Sequence, residues 1–123
     1  MIFFNYERLT LWQKARLLVK DVYLVTKSFP SEERFSMTDQ IKRAVVSIAS
    51  NIAEGSGRFS PKEKLHFLSI AYGSLTELSC QLTLCWDLGY LTDGQVSYLR
   101  NNIEELARIM SGYRESLLRS DPN

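Results

Sequence analysis

Between Gln40 and Arg58 the chain reads QIKRAVVSIASNIAEGSGR, a segment with a helical period whose apolar residues cover too much of the circumference for one neighbour. At about 100° per residue, Ile41, Ala44, Val45, Ile48 and Ile52 form one stripe, and Val46, Ala49 and Ala53 widen it beyond a half circle. The remaining arc holds Gln40, Arg43, Ser47, Ser50, Asn51 and Glu54. These are mostly short polar groups that another backbone can approach closely, unlike the Lys/Glu mixture of a solvated face. A helix of this kind is expected inside an assembly, so a homo-oligomer is the first expectation.

Three further segments repeat the period. Leu11, Ala15, Leu18, Val22, Val25 and Phe29 step by fours and threes until Pro30 forbids continuation. After the short polar link FPSEERF, Ser36 or Thr38 is placed to cap the second helix, which is expected to reach about Glu54. Gly55 and Gly57 are expected to stop it in the left-handed conformation. Ser60, Pro61 and Glu63 combine a serine cap, a proline at the first helical position and a capping-box glutamate. The third helix then follows Leu68, Ala71, Leu75, Leu78, Leu82 and Cys85 to Gly89, with Gly73 as an expected close-packing point. Thr92 and Gln95 repeat the box, and Val96, Leu99, Ile103, Leu106, Met110, Tyr113 and Leu117 form a heptad seam.

Short links between long helices force sequence neighbours to lie antiparallel. The expectation is an all-α, antiparallel up-down four-helix bundle. It forms one domain over residues 1–123, with a core of about 9–118 and fraying at residues 1–9 and 120–123. No alternating strand pattern, low-complexity tract or linker interrupts it. A formal net charge of +1 argues against histone-like coating of nucleic acid, so any such affinity must be local. No apolar run approaches the ~20 residues of a bilayer span, and the N-terminus lacks a signal-like pattern. A cytoplasmic protein without membrane association is expected. Cys80 and Cys85 lie too far apart within one helix to bridge and read as reduced core thiols.

Little in the chain points to catalysis. Glu63 and His66 match one Glu-x-x-His pair of a bundle metal site. A di-metal site needs a second pair and two inward glutamates, whereas His66 is the one histidine and Glu63 already serves as a cap. Neither cysteine sits at a helix N-terminus that would activate it, and Gly55-Ser-Gly57 lies at a helix C-terminus, where the dipole disfavours phosphate. No enzyme activity, cofactor, metal or small-molecule substrate is expected. Asn51, Glu54 and Glu77 read as a structural polar network, with Arg43, Glu54 and Glu77 each needing a partner on another helix or subunit.

Basic residues are unevenly placed. Arg16, Lys20 and Lys27 form a stripe opposite the core of the first helix, bordered by Trp12 and Tyr23. Lys42, Arg43, Arg58, Lys62 and Lys64 add five positive charges over a stretch holding Glu54 and Glu63. Cations beside aromatics suit RNA, whose phosphates and unpaired bases they can meet. The fourth helix instead balances itself through Glu104/Arg108 and Glu115/Arg119 at a spacing of four. The candidate RNA-binding residues are therefore Arg16, Lys20, Lys27, Lys42, Arg43 and Arg58. A protein-binding scaffold, built on helix two and the small-residue faces, is the rival reading.

Several fragments carry a family likeness: Leu11-Trp12-Gln13-Lys14-Ala15, Val22-Tyr23 with Thr26 and Phe29-Pro30, Gln40-Ile41-Lys42-Arg43-Ala44, and Ser50-Asn51-Ile52-Ala53-Glu54-Gly55. Phe67-Leu68, Ile70-Ala71, Gly73-Ser74 and Glu77-Leu78 extend it. Over roughly residues 9–118 the chain resembles the bacterial four-helix bundle proteins encoded in intervening sequences of 23S rRNA genes, also called S23 ribosomal proteins. More distantly it is similar to the accessory proteins of diversity-generating retroelements, which serve a reverse transcriptase and its RNA. The resemblance implies an all-helical bundle, a homopentameric ring and association with RNA such as rRNA, and it implies no catalytic residue. Lys42 precedes Arg43 where relatives often carry two arginines, which keeps the charge and loses a bidentate phosphate fork.

Overall fold

The computed structural model describes residues 4–120. A 3-10 turn at Asn5–Arg8 leads into helix α1 (Thr10–Thr26), a second 3-10 turn at Ser31–Glu33, and helices α2 (Met37–Ser56), α3 (Pro61–Asp87) and α4 (Asp93–Ser120). Neighbours around the bundle pack together, α1 on α2, α2 on α3, α3 on α4 and α4 on α1, while neither diagonal pair approaches. Side-chain partners give the direction. Lys14 of α1 meets Glu105 of α4 at 2.7 Å, and seven residues later Asp21 accepts from Tyr98, seven residues earlier in α4, at 3.0 Å. Likewise Ser47 of α2 pairs with Ser74 of α3, and Gly55 lies against Phe67. The bundle is therefore up-down.

The expected stripes form the core, from Leu11, Ala15, Leu18 and Val22 of α1 to Leu99, Leu106 and Met110 of α4. Helix ends are where the sequence misleads. Helix α1 stops at Thr26 rather than Phe29. Thr26 is buried where Val25 was expected, and its hydroxyl donates to Tyr23 O at 3.0 Å. The next three amides bond back by three residues, so a 3-10 coil, not a helical turn, delivers Phe29 to the core. At the start of α2 the Ser36 side chain makes no cap bond. Glu33 does the work, accepting from Met37 N–H at 3.3 Å, and the hydroxyl of buried Thr38 has no partner.

Gly55 does not stop α2. The helix runs to Ser56, Gly57 closes it at φ −86°, and among the described residues Gly89 alone has a positive φ. Gly55 serves close approach instead, since a Cβ there would lie 2.8 Å from Phe67 Cβ. Gly73, the expected close-packing point, has nothing within 4 Å of such a Cβ. Ser60 Oγ accepts from Glu63 N–H at 3.1 Å, without the return bond of a full box. The Thr92/Gln95 box is complete, at 3.0 and 3.1 Å. Gly89 (φ +80°) ends α3 in a Schellman turn, with Tyr90 N–H on Cys85 O and Gly89 N–H on Trp86 O.

The apolar arc of α2 is almost fully used within the chain, because two seams, on α1 and on α3, cover it. Val46 stays exposed, while Ala49 and Ala53 are half-buried. Uncovered apolar side chains lie instead on α1, at Leu17 and Leu24, and on α3, where Glu77 is the one charge between Phe67 and Trp86. Ile70, Tyr72 and Leu84 are exposed there, and so is Cys80, which is not the core residue expected. Both thiols are free, and burial, then the negative charge of Glu33, push Cys85 up to about 11. Residues 5–8, expected to fray, are ordered by Tyr6, whose ring meets Trp12 edge-on at 4.7 Å. The helix also holds through Ser120, and residues 1–3 and 121–123, for which fraying was likewise expected, lie outside the described residues.

Candidate nucleic-acid interface

Helical geometry sets the candidate surface. Trp12, Arg16, Lys20, Tyr23 and Lys27 fall within an arc of roughly 80° on α1, turned away from its buried stripe. Arg16, Lys20, Tyr23 and Lys27 are exposed and Trp12 is half-buried. The aromatics hold the cations in place: the Arg16 guanidinium lies 5.6 Å from the centre of the Trp12 ring. Lys42, from α2, brings its ammonium to 4.9 Å over Tyr23 and so joins the two helices into one patch.

The six candidate cations divide by their partners. Among the described residues, Arg16, Lys20, Lys27 and Lys42 have no carboxylate within 4 Å. Arg43 is bound to Asp39 at 2.9 Å and Arg58 to Glu54 at 3.1 Å, both one turn away along the chain. Arg43 still borders the patch, whereas Arg58 is sixteen residues from Lys42, about 24 Å along α2. The patch is thus four unpaired cations with two aromatics, and Arg58 belongs to a separate cluster at the α2–α3 turn.

The expected polar network is only partly present. Asn51 Nδ2 donates to Ser47 O (2.8 Å) and Ser47 Oγ (3.1 Å), and Ser47 Oγ is hydrogen-bonded to Ser74 Oγ at 2.8 Å, which ties α2 to α3. Glu54 and Glu77 stand outside it. Both are exposed, and Glu77 accepts from Gln81 of its own helix at 3.1 Å. The partners expected on other helices were unnecessary because these groups are solvated, and exposed ions pair cheaply at a spacing of four. On α4 the expected Glu104/Arg108 and Glu115/Arg119 pairs do not close. Glu105 meets Lys14 across the bundle instead, and Glu115 lies 3.7 Å from Arg114.

His66 sits edge-on to Phe67 at 5.3 Å, and Glu63 belongs to the Ser60 cap. Among the described residues no three His, Cys, Asp or Glu side chains cluster as a metal site would require, and no helix is long and apolar enough to cross a membrane. Sequence reading passed over Phe59, whose ring is fully exposed, with a relative exposure of 101%. The signal was its position between a helix stop and a helix start, where no packing face exists to receive it.

The family model described as 23S rRNA-intervening sequence protein matches residues 7–112. Among solved structures, the chain is similar to a protein of unknown function from the S23 ribosomal protein family of Bacteroides thetaiotaomicron. Their identity is 24% and the TM-score 0.77, over 85% of this chain and 98% of that one, which establishes a shared fold. No curated protein matches the chain.

Proposed function

The chain belongs to the family of 23S rRNA-intervening sequence proteins, and from that membership we propose that it is a non-enzymatic, cytoplasmic protein that binds structured RNA, such as rRNA, through phosphates on its α1–α2 face. The observation that carries this reading is the set Arg16, Lys20, Lys27 and Lys42, four cations without carboxylate partners, interleaved with Trp12 and Tyr23. Cations that no acid neutralises can displace the counterions condensed on a phosphate backbone, and that release is the source of sequence-independent affinity. Assembly is part of the same reading. Copies join through the nearly uncharged outer face of α3 into a homo-oligomer, a ring of five in the form the family likeness implies, and the patches then act together.

The test is the affinity for a labelled rRNA hairpin, followed by fluorescence anisotropy as salt rises from 50 to 200 mM. Four neutralised phosphates give a log–log slope of about −3 to −3.6, a fall of roughly 60- to 150-fold per copy. Replacing Arg16, Lys20 and Lys27 by glutamine should remove most of that slope without altering helicity, since all three are exposed. A flat salt response defeats the proposal and favours the second reading, a protein scaffold. The observation favouring the scaffold is the exposed α3 surface around Ile70, Tyr72 and Leu84.

A further inference from the structure

Phe59 contributes nothing to the core, yet it is held firmly. On its N-terminal side Gly57 N–H donates to Glu54 O at 3.2 Å and Arg58 N–H to Gly55 O at 3.1 Å. On the other side Ser60 caps α3 and Pro61 fixes the first helical residue. The ring therefore projects from backbone that is hydrogen-bonded on both flanks, so the main-chain part of the ordering cost has been met in folding.

Its surroundings combine cations with one acid and one further ring. Beside it lies an open cleft of about 560 Å³ lined by Arg58, Ser60, Lys62, Glu63, His66 and Phe67. The Arg58 guanidinium lies 4.5 Å over the Phe67 ring and gives one N–H to Glu54 at 3.1 Å. A guanidinium has five donors in a fixed fork, so others remain for an incoming oxyanion. Lys62 has no carboxylate within 4 Å among the described residues.

We infer that Phe59 is a stacking platform for one unpaired base of a bound RNA strand, with Arg58 and Lys62 meeting the phosphates that flank that base. This rests on the reading that the protein binds RNA, and it adds to the α1 patch a contact for single-stranded positions. A protein partner would need a contiguous apolar surface around the ring to build a buried hot spot, whereas Phe67, the one apolar side chain of the cleft, is half-buried and lies under the Arg58 guanidinium. A lone exposed ring among cations is the composition that strand-binding surfaces share, because every base has a face to stack while the backbone meets the charges. The turn also sits at the end of the bundle where α1 begins, which is the end toward which the stripe from Lys27 to Arg16 runs.

The experiment compares the full chain with Phe59→Ala, Phe59→Leu and Phe59→Trp on two RNAs: a fully paired duplex, and the same duplex interrupted by a single-stranded loop. Stacking on one base is worth about 5- to 150-fold in affinity. Phe59→Ala and Phe59→Leu should lose that factor on the looped RNA and nothing on the duplex, and Phe59→Trp should retain it. The loss should be an offset with an unchanged salt slope, because no charge is removed. Thermal melting should be unaltered in all three, since the ring buries nothing. If Phe59→Ala binds looped RNA as the parent does while the Arg16/Lys20/Lys27 variant has lost affinity, the stacking inference is wrong and the RNA reading stands. Equal loss on both RNAs also overturns it. If the parent binds neither RNA, the inference falls together with the reading beneath it.

Discussion

Gly55→Ala and Gly73→Ala make the same chemical change in two helices and should shift stability in opposite directions. In a helix interior the change ordinarily gains about 0.8–1.0 kcal/mol, through reduced freedom of the unfolded chain and better helix propensity. At Gly73 the new methyl meets nothing within 4 Å, so the gain should be close to complete. At Gly55 the methyl would lie 2.8 Å from Phe67 Cβ, where ordinary contact begins at 3.4 Å, so the helices must part by about 0.6 Å or more. Phe67 Cβ is bonded to backbone, and no rotamer change moves it. The shift therefore falls on the α2–α3 seam, where Lys64 Nζ donates to Ser56 O at 2.9 Å and Arg58 covers the Phe67 ring. Overpacking of this kind costs about 1–3 kcal/mol, and the propensity gain near a helix end offsets only a few tenths. A net loss of about 1–2 kcal/mol is expected. Urea unfolding followed by far-UV circular dichroism, at a protein concentration dilute enough that the copies are separate, measures both. A Gly55→Ala protein as stable as the parent, or two variants moving together, would show that the close approach is not what requires glycine.

Two further outcomes follow from local geometry. Thr92→Ala removes the acceptor of Gln95 N–H in the α4 capping box and should cost about 1 kcal/mol in the same assay; no change would mean that Gln95 alone holds the helix start. With Cys85 pushed up to about 11, about one thiol in a thousand is ionised at pH 8. An aromatic disulfide reagent should then titrate one thiol per native chain, Cys80, and the second only on unfolding. If α3 is the contact between copies, the rate at Cys80 should also rise on dilution. Two thiols reacting together in the native protein would contradict the burial of Cys85.

The parts of this fold that could be read from the residues are those decided within a few positions of the chain. Leucine and isoleucine steps located the four stripes, and the Thr92/Gln95 and Ser60/Pro61 signals located two helix starts, because capping is a contest among adjacent groups. Gly55, expected to stop α2, has the close approach expected of Gly73, and Gly73 faces open space, since only the facing helix decides whether a missing side chain is needed. Glu33 was overlooked as the α2 cap because its carboxylate reaches forward from a 3-10 turn that carries no periodic signal. The candidate site divides in the same way. The α1 stripe followed from helical angles alone, but the Lys42–Tyr23 contact that extends it to α2 depends on how two helices cross. Arg43 and Arg58 look as available as their neighbours until Asp39 and Glu54 are found at their sides, a spacing the sequence did contain. Phe59 left no trace in any periodic pattern.

Helices α1 and α3 occupy opposite corners of the bundle and do not touch. One carries Arg16, Lys20 and Lys27, and the other has a single acid between Phe67 and Trp86, in a molecule whose net charge is only +1. On the RNA-binding reading, such a body has little monopole to be drawn by at long range, so what it experiences first is a torque that swings α1 toward the polyanion. On that reading it arrives with the α3 side, the proposed contact between copies, turned away from the RNA. RNA binding and assembly, both as proposed, then compete for no common area, and either can come first.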